Sequence, residues 1–84
     1  METLPVIDMA ATGANIARMR RQIGLSVQEL QEIFGFSTPQ AIYKWQRGSA
    51  LPTLDNMLIL SAVFNTTIDA IVVRAAAPVG QRSA

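Results

Sequence analysis

Apolar and polar positions along this chain alternate at helical rather than strand spacing. Met9, Thr12, Ile16, Met19 and Ile23 recur every three or four residues, one stripe of an amphipathic helix. Asp8 is placed to cap its start, and Gly24 to stop it at the first left-handed position. Gly13 lies inside this stretch, where it costs about 1 kcal/mol relative to Ala. Two readings therefore stay open: a loose first turn, or a helix that begins nearer residue 12.

A second helix is announced by "SVQE" (26–29), the spacing of a capping box. Its apolar face is Leu30, Ile33 and Phe34, and Gly35 ends it. At barely two and a half turns it depends on its neighbours for stability. "GFSTP" (35–39) turns into a third helix. Thr38 is the better N-cap, because a residue before proline avoids the α region, although Ser37 with Gln40 also spells a capping box. Pro39 then sits in the first turn, where a missing amide hydrogen is harmless. Ile42 and Trp45 share the inner face, and Gly48 terminates the helix.

Thr53 caps a fourth helix, with Asp55 against its dipole. Its apolar residues Leu54, Met57, Leu58, Leu60, Ala62, Val63 and Phe64 run almost all the way round, which predicts a central helix covered on several sides. Thr67 and Asp69 open a short fifth helix carrying Ile68, Ile71 and Val72. No segment reads as a strand pair. The predicted organisation is an N-terminal extension (1–7), a helical domain (8–73) and a disordered tail (74–84) that lacks an apolar period.

Composition narrows the chemistry. Eighty-four residues suffice for one small domain with little stability to spare. Half the residues are hydrophobic but few are aromatic, so the core is aliphatic. With no Cys and no His, disulfides, thiolate catalysis, zinc sites and the usual general base all drop out. Glu29 is read as a cap, since no second polar group is placed to form an active site with it. The expectation is a protein that is not an enzyme and has no metal or cofactor. No signal peptide or membrane-length apolar run is present, which suits a soluble, cytoplasmic protein.

Net charge is only +1, yet five of the seven basic residues (Arg18, Arg20, Arg21, Lys44, Arg47) fall between 18 and 47, against two acids. Such clustering suits an anionic partner, as it would also suit a solvated helix face. A short helix, a tight turn and a polar third helix suggest a helix-turn-helix, whose third helix enters the DNA major groove. With Ile42 and Trp45 inward, Pro39, Gln40, Tyr43, Lys44 and Arg47 point outward. The Gln40 amide can read adenine through two hydrogen bonds. Tyr43 offers a ring edge to a thymine methyl and a hydroxyl to phosphate, Lys44 reaches guanine or phosphate, and Arg47 reaches backbone. Gln28 and the first amides of the second helix form a phosphate site.

"GLSVQELQEIFGFS", "AIYKWQRG" followed by "LP", and "LDNMLILSAVFNTTIDAIV" together resemble the lambda-repressor-like, Cro/XRE-type helix-turn-helix family over about residues 13–73. The resemblance implies an all-α, compact five-helix domain with its helix-turn-helix at helices 2 and 3. It implies a sequence-specific transcriptional regulator, repressor-like, that binds double-stranded DNA as a homodimer on a palindromic operator. The family commonly carries Glu before the Arg-Gly that ends its third helix, paired with an Arg of the first; here Gln46 faces Arg20. Arg20 is then divided between an internal hydrogen bond and a phosphate. The turn is also one residue longer than the commonest spacing, so Thr38, Pro39 and Gln40 are alternative first contacts. Leu51, Ile68 and Val72 are the expected dimer surface. The competing reading is an antitoxin or adaptor that uses the same scaffold to hold a protein partner.

Overall fold

The computed structural model describes residues 3–78. Five helices follow one another, α1 (Met9–Gln22), α2 (Val27–Phe34), α3 (Gln40–Arg47), α4 (Leu54–Val63) and α5 (Ile68–Ile71). Two short strands, β1 (Thr3–Ile7) and β2 (Arg74–Pro78), flank them.

Local chemistry starts most of the helices where the sequence places them. The Asp8 carboxylate accepts from the Ala11 amide at 2.9 Å. The α2 capping box is complete: Ser26 Oγ accepts from the Glu29 amide, and the Ser26 amide donates back to the Glu29 carboxylate, each at 3.0 Å. That backbone donor, followed by the Ser26 hydroxyl, holds the Glu29 carboxyl below its ordinary value. Thr53 and Thr67 cap α4 and α5 through the amides of Asn56 and Ala70. Each bond satisfies an amide that the first helical turn leaves without a partner.

The start of α3 differs from the expectation. Pro39, not Thr38, occupies the N-cap position and supplies no side-chain cap. The Thr38 hydroxyl still accepts a long bond (3.4 Å) from the Gln40 amide. Pro39 has φ −83° and ψ 6°, so the extra turn residue is absorbed before the helix and α3 begins one residue later.

Every helix contributes one aliphatic side chain with no solvent contact: Ile16, Leu30, Ile42, Leu60 and Ile71. Met57 and Phe64 close the core beside them. Trp45 is 4% exposed and meets Phe34 and Phe36 edge-on at centroid distances of 5.3 and 5.9 Å. Phe36, which the apolar pattern passed over, stacks on Phe34 at 5.0 Å. This aromatic wedge fixes the turn between α2 and α3 to the inner face of α3.

The α1 stripe is buried at its centre, while its ends, Met9 and Ile23, are exposed. Ile33 of α2 is exposed as well. The larger departure is α4. Only Met57 and Leu60 within it are buried, and Leu54 (72% exposed), Leu58 (56%) and Ile59 face solvent. The helix is apolar all round yet covered on one side, because a domain this small has no second layer to lay over it.

The expectation of no strand pair, with an unstructured tail from residue 74, is overturned for the described residues. β1 and β2 pair antiparallel, with Leu4 opposite Ala77 and Ile7 opposite Arg74. Residues 79–84 lie outside the described chain, as do residues 1 and 2 of the expected extension. The pairing is anchored from α1: the Asp8 amide donates to Val73 O at 2.9 Å, and fully buried Thr12 Oγ1 accepts from the Val73 amide at 2.9 Å. Asn15 Nδ2 donates to the carbonyls of Ala70 and Ile71, gripping the end of α5. Antiparallel pairs alternate between bonded and non-bonded positions. Counting from Asp8 and Val73, Pro5 and Pro78 both fall where an amide would point outward. Two strands rich in Ala and Pro carry almost no local signal; the contacts that hold them span about sixty residues of chain.

Gly13 does not loosen α1, which continues through it from Met9. It lets α1 approach α3: a β-carbon there would overlap the Trp45 carbonyl oxygen. Gly48, at φ 75°, ends α3 and lies so near α1 that its β-carbon would sit 2.7 Å from Ala10 Cα. Gly13→Ala is therefore expected to destabilise the domain by about 1–3 kcal/mol, the usual cost of overpacking, despite Ala's better helix propensity. Urea denaturation checks it. A gain in stability would mean that α1 and α3 are not in backbone contact.

Candidate nucleic-acid interface

The second and third helices present the surface on which the sequence analysis placed its functional residues. Pairing of Ile42 and Trp45 with the core orients α3, so its remaining side chains are sorted by the 100° step of the helix. Gln40, Lys44 and Arg47 are exposed, and Tyr43 is 43% exposed. Thr38 is exposed at the mouth of the turn and Pro39 is half-buried. Gln28 is exposed in the first turn of α2.

Thr38, Gln40 and Lys44 come together around one shallow cleft on the flank of α3. The same cleft is lined by Ser37, which the sequence analysis weighed only as a cap, and by Ala41 and Ala50, which it did not single out as contacts. Nothing in their residue types marks them; only the fold of the turn and of the segment after Gly48 brings them alongside α3. Among the described residues, no acidic side chain lines the cleft. Lys44 forms no ion pair among the described residues, where the only salt bridge joins Arg74 and Asp69. The arrangement offers an amide, two hydroxyls and an ammonium beside the apolar side chains of Phe36, Ala41, Trp45 and Ala50. Those groups suit the mixed donors and acceptors of a base edge, with phosphate beside it.

Arg20 is not on this outward surface. Its Nε donates to Gln46 Oε1 at 3.0 Å and its Nη1 to the Leu25 carbonyl at 2.7 Å. Both bonds run inward, joining α1 to the flank of α3 and to the turn before α2. Of the two roles the sequence left open for Arg20, the internal hydrogen bonds are the ones this structure contains. Spacing alone does not separate the two, because the choice depends on where α3 lies against α1. Arg18 and Arg21 remain exposed on α1.

If this bridge orients α3, Arg20→Ala and Gln46→Ala should each lower stability. Their double-mutant cycle should return a coupling of about 1.5–3 kcal/mol, as for a hydrogen bond with one charged partner. Denaturation of the two single variants and the double variant measures it. Strict additivity would show that the two side chains act independently.

Comparison with known proteins follows from this geometry. The helix-turn-helix family model HTH_3 matches residues 16–71, which take in the second half of α1 and the whole of α2 to α5 but neither strand. No curated protein matches the chain significantly in sequence. Among solved structures, the restriction-modification controller protein C.AhdI from Aeromonas hydrophila superposes with TM-score 0.67 at 22% identity, covering 76% of this chain and 96% of that one. The S. venezulae BldD DNA-binding domain gives 0.65 at 18%, covering 77% and 96%. Apo-HppE gives 0.67 at 21%, covering 77% of this chain but 36% of that one. At such identities these structures establish the shared fold, and the family model covers most of the chain. The chain thus belongs to the Cro/C1-type helix-turn-helix family of DNA-binding transcriptional regulators.

Proposed function

We propose that this protein is a sequence-specific, repressor-like regulator that inserts α3 into the major groove of a palindromic operator. The observation that carries the reading is the division of α3 into two faces. Ile42 and Trp45 are locked in the core, while Gln40, Tyr43, Lys44 and Arg47 stand free on the other side. A helix held this firmly can deliver the same side chains to each base pair it meets, which is the requirement for readout. Gln40 acts as base reader, Lys44 contacts guanine or phosphate, and Arg47 and Gln28 contact the backbone. No helix among the described residues is long and apolar enough to cross a membrane. That agrees with a cytoplasmic site of action.

One such domain makes few base contacts, so a homodimer on two half-sites about one helical turn apart accompanies the reading. The solvent-facing side of α4 favours it. Leu54, Leu58 and Ile59 expose large apolar surface with a single charge, exposed Asp55, among them, whereas the Leu51, Ile68 and Val72 expected from sequence are half-buried. A two-fold axis beside α4 would cover the patch with its own copy. The same patch is the observation that keeps the adaptor reading alive, with a different protein in place of the second copy.

Titration of duplex DNA in rising salt tests the regulator reading. Affinity should fall with a log–log slope of about −0.9 for each phosphate neutralised. Gln40→Ala should change which duplexes are enriched from a random pool, at a cost of about 1–3 kcal/mol on the preferred site. Absence of binding even at low salt would leave only the adaptor. Sedimentation equilibrium separates the two uses of α4: wild type should self-associate, on its own or on DNA, and Leu58→Asp should sediment as a folded monomer. A wild-type protein that stays monomeric on a palindromic duplex would remove the homodimer.

A further inference from the structure

The cleft beside α3 has a chemical character that the outward residues alone do not explain. Its exposed lining is polar, a rim of Ser37, Thr38, Gln40 and Lys44, while its half-buried and buried lining is apolar, a floor of Phe36, Ala41, Trp45 and Ala50. A phosphate would find the ammonium at the rim but would gain nothing from that floor. A base edge with a methyl group beside an acceptor matches both parts, and in the major groove thymine alone presents the C5-methyl next to O4.

We propose that this cleft reads a thymine through its C5-methyl group, with Ala41 as the residue that meets it. The proposal rests on the DNA-regulator reading above and deepens it. Ala41 is half-buried and packed against the hydrophobic core, so its methyl is fixed in place and cannot swing away from an incoming base. Gln40 and Lys44 flank it at the preceding and third following positions of the helix, both exposed. Either can donate to thymine O4 or to an acceptor of the next base pair. The lack of acid in the cleft among the described residues fits approach to DNA. Cytosine offers neither the methyl nor the acceptor, so the cleft discriminates within the pyrimidines.

Deoxyuridine provides the test, since it keeps every hydrogen bond of thymidine and lacks only the methyl. Duplexes enriched from a random pool by the wild-type protein are remade with deoxyuridine at one thymidine position at a time. At the contacted thymidine, Kd should rise about fourfold, the burial value of one CH₂-sized group. Ala41→Gly should bring the ratio at that position close to one, without a new preference at other positions. Because Gly weakens a helix, Ala41→Ser serves as the second variant: it retains the helix and the β-carbon but sets a hydroxyl on it against the thymine methyl, and should likewise shrink the ratio. Circular dichroism confirms that each variant is folded. Equal affinity for thymidine and deoxyuridine at every position of a tightly bound duplex would overturn the proposal. So would a methyl effect that both folded variants leave intact. Failure to enrich any duplex would instead overturn the regulator reading, and this proposal with it.

Discussion

The structure depends on the contact between the backbones of α1 and α3. Gly13 removes the one side-chain atom that would keep the Trp45 carbonyl away, and Gly48 does the same for the start of α1. Backbone-to-backbone contact leaves little room for adjustment, because the interior around it is close-packed. Arg20 tightens the same junction at its other end through Gln46 and Leu25. The orientation of α3 is therefore set from α1, and a reading helix needs a set orientation more than it needs a large buried area.

The same helix α1 also organises the ends of the chain. Thr12 is fully buried and spends its hydroxyl on the Val73 amide, while Asn15 holds the last carbonyls of α5. A buried hydroxyl without a partner would cost more than the bond it forms is worth, so Thr12 and the root of β2 require each other. The two-stranded ribbon is small, and a hairpin of this size is marginal alone. It persists because its root is part of the core. Prolines on both outward edges discourage a further strand from joining.

Charge is distributed with similar economy. The protein is nearly neutral, yet its positive groups gather on and beside α3 and α1 rather than on α4. α4 faces solvent with large aliphatic residues instead. One surface suits a polyanion and another suits an apolar partner, and a single layer of helices is thin enough to expose both.

Much of the architecture could be read from single letters at short spacing. Asp8, Ser26 with Glu29, Thr53 and Thr67 mark helix starts, and Ile42 with Trp45 sorts α3 into two faces, because capping and periodicity are local effects within one or two turns. The outward-facing residues of α3 were legible for the same reason. What escaped was decided across the chain. Gly13 looked like a weak point until α3 was laid against it, and Arg20 could not be assigned until Gln46 and Leu25 O came within reach. Thr12 and the strands gain their roles from partners remote in sequence. The all-round apolar pattern of α4 gave no indication of its bare side, since hydrophobicity records what a residue prefers and only packing determines whether a neighbour is there to satisfy it.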